Sequence, residues 1–228
     1  MSDSRTARNE PSLEAAIASD GARSRQTDVP AISDDTRLAV EIRGLVAAGD
    51  MALARDRFAG IVSAHQRRAV RIAYQYLRDA AEADEAVQDA FVKAFLHISS
   101  YREAWPFEVW FTRILINGCL DRHKARARRE RWFVPSEEAS GLDQARYAAV
   151  IAPDQNPEAR LLARERRTRL AKAIGHLDGR QRLVFTLCHY GDRTPREVSA
   201  ITGLNESIVR VHLFRAARKL RGLLGGTS

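Results

Sequence analysis

Residues 194–220, TPREVSAITGLNESIVRVHLFRAARKL, decide how this chain folds. Thr194 can cap a helix that has Pro195 in its first turn and Glu197 three residues on, the spacing at which a capping box closes. Gly203 suits the stop, Leu204 can plug the turn, and Asn205 can cap a second helix. That second helix carries Ile208, Val211, Leu213 and Leu220 among its apolar residues, and Arg210, Arg215, Arg218 and Lys219 among its cations. A short positioning helix, a tight turn with glycine and a basic second helix are the grammar of a helix-turn-helix, whose second helix enters the major groove of DNA. An ordinary helical hairpin with a solvated basic face shows the same pattern. In the DNA-binding reading, Asn205, Glu206, Ser207 and Arg210 stand at the helix start to read base edges, and Arg215, Arg218 and Lys219 meet phosphates.

The rest of the chain agrees with an all-α protein. Its 228 residues suffice for one or two domains, and 45% hydrophobic against 29% charged residues describes a soluble globular chain. Lys and Arg number 37 against 29 Asp and Glu, a formal charge of +8, so a polyanionic partner comes first: nucleic acid, with a membrane surface behind it. No stretch approaches the ~18 apolar residues of a membrane span, and the opening 30 residues lack the apolar core of a signal peptide. Cys119 and Cys188 are too few and too far apart for a disulfide framework, which favours a reducing compartment, the cytoplasm.

Residues 1–36 are rich in Ser, Ala, Asp and Arg without an apolar period and read as a disordered tail. Helical patterning starts after them. Leu38, Ile42, Leu45 and Val46 form one short face, closed by Gly49 and Asp50. A longer helix follows with Phe58, Ile61, Val62, Val70, Ile72 and Leu77 inside. The clearest amphipathic helix runs from Ala83 to Ile98, with Ala86, Val87, Ala90, Phe91, Ala94 and Phe95 at three- and four-residue steps. Pro106 then opens a helix that runs into DRHKARARRER. Residues 37–131 make a first unit. Residues 132–157 have three prolines and no lasting period, as a connector between domains would. Residues 158–228 make a second unit, with the helix-turn-helix inside it.

Two faces of the first unit carry chemistry. Glu85, Gln88, Asp89 and Val92 share the outer side of the Ala83–Ile98 helix, flanked by Asp84: an acidic face with an apolar centre, suited to a cationic helical partner or simply to solubility. On the helix after Pro106, Arg113, Asn117, Asp121, Lys124 and Arg128 form a polar stripe, thickened by Arg122, Arg126 and Arg129. Tyr101 and Trp105 precede it and Trp110 lies one turn in. Aromatic rings beside a cationic track are what unstacked bases need, although Trp110 and Phe111 read more readily as core.

With these residues in place the chain resembles the extracytoplasmic-function group of bacterial RNA polymerase sigma factors, which are built from regions two and four. EADEAVQDAFVKAF at 82–95 is similar to the group's AEDxxQExF motif, and WFTRILINGCLDRHKARARR at 110–129 to its WLxRIAxNxxxDxxR segment. LDGRQRLVF and the helix-turn-helix follow in order. The resemblance implies two helical domains joined by a flexible linker, with Asp84, Glu85, Gln88, Asp89 and Val92 meeting the polymerase clamp helices and Phe91 structural. It implies that Tyr101, Trp105, Arg113, Asn117, Arg122, Lys124, Arg126, Arg128 and Arg129 engage the minus-ten element, where a flipped base is captured. Thr194, Arg196, Asn205, Glu206, Ser207, Arg210, Arg215, Arg218 and Lys219 would meet the minus-thirty-five element. The polymerase flap and an anti-sigma factor are implied partners. Ser207-Ile208 stand where the group has Gly-Thr, which leaves the promoter sequence open.

No catalytic residue, cofactor or metal is expected. The chain lacks a phosphate-cradling G-x-x-x-x-G-K-[ST] loop, a G-x-S-x-G turn and an H-E-x-x-H pair, and Cys188-His189 lack the spaced partners of a zinc site. Cys188 reads as a buried thiol. The rival reading is a one-component regulator whose second unit binds duplex DNA without core polymerase.

Overall fold

The computed structural model describes residues 33–130 and 157–225, and they form helices and short connections, with no strand among them. The expected tail and connector lie almost wholly outside the described residues, as does the side chain of Arg129. In chain order the elements are α1 (Asp34–Ala48), α2 (Met51–Leu77), α3 (Ala80–Leu96), a 3-10 turn (Ile98–Ser100), α4 (Phe107–Glu130), α5 (Pro157–Gly175), α6 (Gly179–His189), α7 (Pro195–Thr202) and α8 (Glu206–Gly225). The first helix starts at Asp34, inside the last three residues of the expected tail, with Asp34 and Asp35 in its first turn where the helix dipole favours them.

Local chemistry sets most boundaries. Asp50, Asp79 and Asp178 each accept a backbone N–H three residues on, from Leu53 at 3.1 Å, Glu82 at 2.8 Å and Gln181 at 2.8 Å, and so start α2, α3 and α6. At α7 the Glu197 N–H donates to Thr194 Oγ1 at 3.3 Å while the Thr194 N–H donates to the Glu197 carboxylate at 2.8 Å, the reciprocal capping box that the spacing predicts. Gly203 ends α7 at φ +73°, a conformation that a side chain would strain. Gly191, between α6 and α7, has a different reason: a Cβ there would lie 2.5 Å from the Leu187 carbonyl oxygen.

The α1–α4 core is aromatic at its centre. Phe91 of α3 stacks on Phe111 of α4 with centroids 4.5 Å apart, and Phe58 of α2 meets Phe95 edge-on at 5.2 Å. Phe111 is buried, as its pattern predicts, and Trp110 is half-buried. Cys119 is buried, whereas Cys188, packed against the margin of the same core, is only half-buried, which corrects the sequence expectation for that thiol.

The two helical halves do not stand apart. Leu183, Val184 and Leu187 of α6, Val198 and Ile201 of α7 and Val209 of α8 belong to the same buried apolar cluster as Phe107, Phe111, Ala69 and Ala73. Polar contacts follow this seam: Arg68 of α2 pairs with Asp192 at 2.9 Å, and Arg78 donates to the Ala171 carbonyl at 2.9 Å. A second cluster, around Ile174, Leu177, Phe185, Ala216 and Leu220, packs α5, α6 and α8 together.

Candidate functional site

Three surfaces hold the residues singled out by sequence. On α3, Asp84, Glu85, Gln88, Asp89 and Val92 all lie on the exposed face, because Ala83, Ala86, Val87, Ala90, Phe91 and Ala94 turn the other face into the core. Val92 is 58% exposed and Leu96, one turn on and missed by the sequence reading, 68%. The acids are not alone there. Arg122 of α4 donates to the Glu85 carboxylate at 2.9 Å and to that of Asp89 at 2.5 Å. Partial burial opposes its charge, and the hydrogen bonds it donates to Asp89 and Glu85 more than offset this, so the guanidinium is held above its ordinary range. Arg122 therefore bridges α3 and α4. Beside it, Ala86, Ala90, Gly118 and Ala125 floor an open groove of about 380 Å³ with Asp121 and Arg128 at its rim.

The second surface is the loop before α4 and the outer side of α4. Tyr101 is 0% exposed, and its hydroxyl donates to the Trp105 carbonyl at 3.0 Å. Burial pushes its phenol above the usual range. A fully buried ring cannot stack on a base; Tyr101 instead fixes the loop that presents Trp105, because its ring packs against Phe107 and Trp110. Arg43 secures the same loop by donating to the Tyr101 carbonyl at 2.8 Å and pairing with Glu103 at 2.7 Å. Trp105 is half-buried, with the Arg196 guanidinium carbon 5.5 Å from its ring centroid. Arg113, Asn117, Lys124 and Arg128 are exposed along α4 and Arg126 is half-buried.

The third surface is the α7–α8 pair. The Ser199 hydroxyl donates to the Leu204 carbonyl at 2.6 Å, closing the turn. Asn205 Oδ1 accepts from the Ser207 N–H at 3.0 Å and from the Ser207 hydroxyl at 2.9 Å, while Arg210 pairs with Glu206 at 2.6 Å. Val209, Ala216 and Leu220 anchor α8 from beneath. Thr194 and Arg196 are exposed at the start of α7, and Arg215, Arg218 and Lys219 are exposed on α8. Among the described residues no cluster of His, Cys, Asp and Glu could hold a metal ion, and no helix is long and apolar enough to cross a membrane.

Comparison with known proteins decides what these surfaces belong to. The Sigma-70 region 2 family model matches residues 61–129, and the Sigma-70 region 4 model matches residues 167–220. RNA polymerase sigma factor CnrH of Cupriavidus metallidurans is 30% identical over 75% of this chain and 88% of its own length. The chain belongs to the extracytoplasmic-function group of the sigma-70 family. ECF RNA polymerase sigma factor SigW of Bacillus subtilis is 25% identical over 73% of this chain and 88% of its own. The fold matches a solved structure of CnrH with the cytosolic domain of CnrY at a TM-score of 0.58, 22% identity and coverage of 86% of this chain and 100% of that one. It also matches RpoE bound to the anti-sigma factor NepR from Bartonella quintana at 0.57, 19% identity and coverage of 75% and 98%. This sigma factor is an alternative one, directing transcription, and the reading as a one-component regulator is not favoured.

Proposed function

We propose that this sigma factor docks on core RNA polymerase through the outer face of α3 and addresses it to promoters through α4 with its preceding loop and through α7–α8. The observation that carries this reading is the pairing, on one chain, of an acidic face with exposed Val92 and Leu96 and a capped helix-turn-helix whose second helix is cationic. Asp84, Glu85, Gln88 and Asp89 supply charge toward the clamp helices, with Val92 and Leu96 as the apolar centre that a stable protein interface needs. Trp105, Arg113, Asn117, Lys124, Arg126 and Arg128 face the minus-ten element, where unstacking a base costs a few kcal/mol that stacking and edge hydrogen bonds offset. Tyr101 and Arg122 act there by positioning. Thr194, Arg196 and the outer face of α8 meet the minus-thirty-five element, and this half also meets the flap, away from that face.

The chain itself performs no chemistry; nucleotidyl transfer belongs to the polymerase, and the sigma factor acts in the cytoplasm, where that enzyme works. Two weak promoter contacts on one chain bind strongly together, because the second becomes intramolecular once the first has formed. An anti-sigma factor is a further partner, since NepR, an anti-sigma factor, was bound in the RpoE structure that this fold resembles. Run-off transcription with purified core enzyme and random promoter fragments tests the whole reading. Start sites that depend on the chain and share two upstream elements are expected. Specific duplex binding without core, and no change in start sites with it, would favour the regulator instead.

A further inference from the structure

Along the outer face of α8 runs an apolar strip that no part of the described chain covers. Ile208 is 44%, Val211 47% and Phe214 68% exposed. They follow at three-residue steps and so lie side by side on the helix. None of them anchors α8, which is held by Val209, Ala216 and Leu220. Large apolar groups gathered on one exposed face mark a contact, because covering them recovers the free energy of removing that area from water.

The surroundings say what covers the strip. Arg215 and Arg218 stand on the same face one to two turns on and Lys219 borders it, without an acidic partner among the described residues, and Glu206, the one acid of α8, is already paired with Arg210. An occupant that covers the strip and meets those cations has to offer apolar and anionic groups side by side. Duplex DNA offers that combination: phosphates line the major groove, and thymine alone presents an apolar group on its floor, the C5 methyl.

The polar residues at the helix start point the same way. Ser207 spends both its N–H and its hydroxyl donor on Asn205, and Arg210 is held by Glu206. Part of the hydrogen-bonding capacity at the helix start is thus engaged within the helix, while the apolar side chains have no partner.

We infer that Ile208 and Val211 read thymine by its methyl group, with Phe214 extending the strip toward the backbone. The upstream element is thus specified at those positions by apolar contact and not by Ser207 hydrogen bonds. The inference rests on α8 being the helix that enters promoter DNA.

Holoenzyme formed from core and the full chain first selects an upstream element from random fragments; each thymine in it is then replaced singly by deoxyuridine, which lacks only the methyl. Affinity is expected to fall roughly fourfold per methyl at one or two positions, the worth of one buried carbon group. In the I208A and V211A variants, whose melting curves check that the exposed substitutions leave the fold intact, that penalty disappears at the matching position. Deoxyuridine tolerated everywhere, while other base changes at the same positions impair binding, would overturn methyl readout and leave the sigma reading standing. Weakened association of I208A or V211A with core at unchanged promoter affinity would assign the strip to polymerase and overturn it too. If no upstream element is selected, the sigma reading itself fails and takes the inference with it.

Discussion

Arg196 in α7 holds its guanidinium carbon 5.5 Å from the centroid of the Trp105 ring, so two residues assigned to different promoter elements cap one another. Minus-ten and minus-thirty-five sites lie 25 base pairs apart by their names, about 85 Å of duplex at 3.4 Å per step. A compact unit of the 167 described residues has a radius of gyration of about 15 Å. If Trp105 and Arg196 meet the elements proposed for them, the closed arrangement cannot reach both sites, and the seam through Arg196–Trp105, Arg68–Asp192 and Arg78–Ala171 would have to part before initiation. Dyes on α2 and α8 should report a large rise in separation when core and promoter are added. The pair R68A/W105A should raise it in the free chain as well, and an initiating complex with the same transfer efficiency as the free chain would contradict this.

The bridge from Arg122 to Glu85 and Asp89 separates two effects. R122A should cost about 1 kcal/mol of stability, the upper end for largely solvated ion pairs, with the loss shrinking in high salt. Replacing Asp84, Glu85 and Asp89 together by Ala should weaken association with core at least about tenfold, or 1.4 kcal/mol, while α5–α8 stay folded. Unchanged core binding, measured by fluorescence anisotropy, would remove the clamp role from this face.

Arg215 and Lys219 are exposed on α8. If each meets a phosphate, R215A/K219A lowers the slope of log affinity against log salt by roughly 0.9 per lost contact. Titrations of promoter binding across a salt series give this number directly, and an unaltered slope would deny both contacts.

Gly191 and Gly203 fail for different reasons when given a side chain. G191A drives a methyl to 2.5 Å from the Leu187 carbonyl oxygen, in backbone that cannot move aside cheaply. G203A keeps its space but strains φ +73°, at a cost of about 1 kcal/mol. Urea denaturation should rank G191A as the more damaging.

The two thiols should separate by reactivity. Burial pushes Cys119 up to about 12, so it stays protonated, and unreactive, throughout the neutral range. Its thiolate gains nothing until pH approaches that value. At pH 8 iodoacetamide should modify half-buried Cys188 first, and both sites at similar rates once the chain is unfolded; mass spectrometry of timed samples reads the order.

Much of the fold was legible because its signals are local. The capping box at Thr194, the stop at Gly203 and the caps at Asp50 and Asn205 each involve residues a few positions apart, and the structure closes each of them. The seam between the halves was not legible, since Arg68 and Asp192 stand 124 residues apart and no period in either helix announces the other. The burial of Tyr101 and the engagement of Arg122 were not legible for a related reason. Residue type gives a side chain's chemistry, but only the packing of neighbouring helices tells whether a ring near a basic stretch turns outward or a guanidinium is already engaged. Leu96 and Phe214 went unweighed because a period flags the face that is buried, not apolar groups left on the opposite one.

The seam has a consequence for supply. Both jaws of the clasp belong to a single polypeptide, so dilution cannot loosen them, and the closed fraction is independent of copy number. A stoichiometric inhibitor behaves otherwise: it saturates as synthesis rises. Restraint of this built-in kind scales with every molecule made, and a burst of expression would leave the proportion ready to act unchanged until something outside the chain pulls the halves apart.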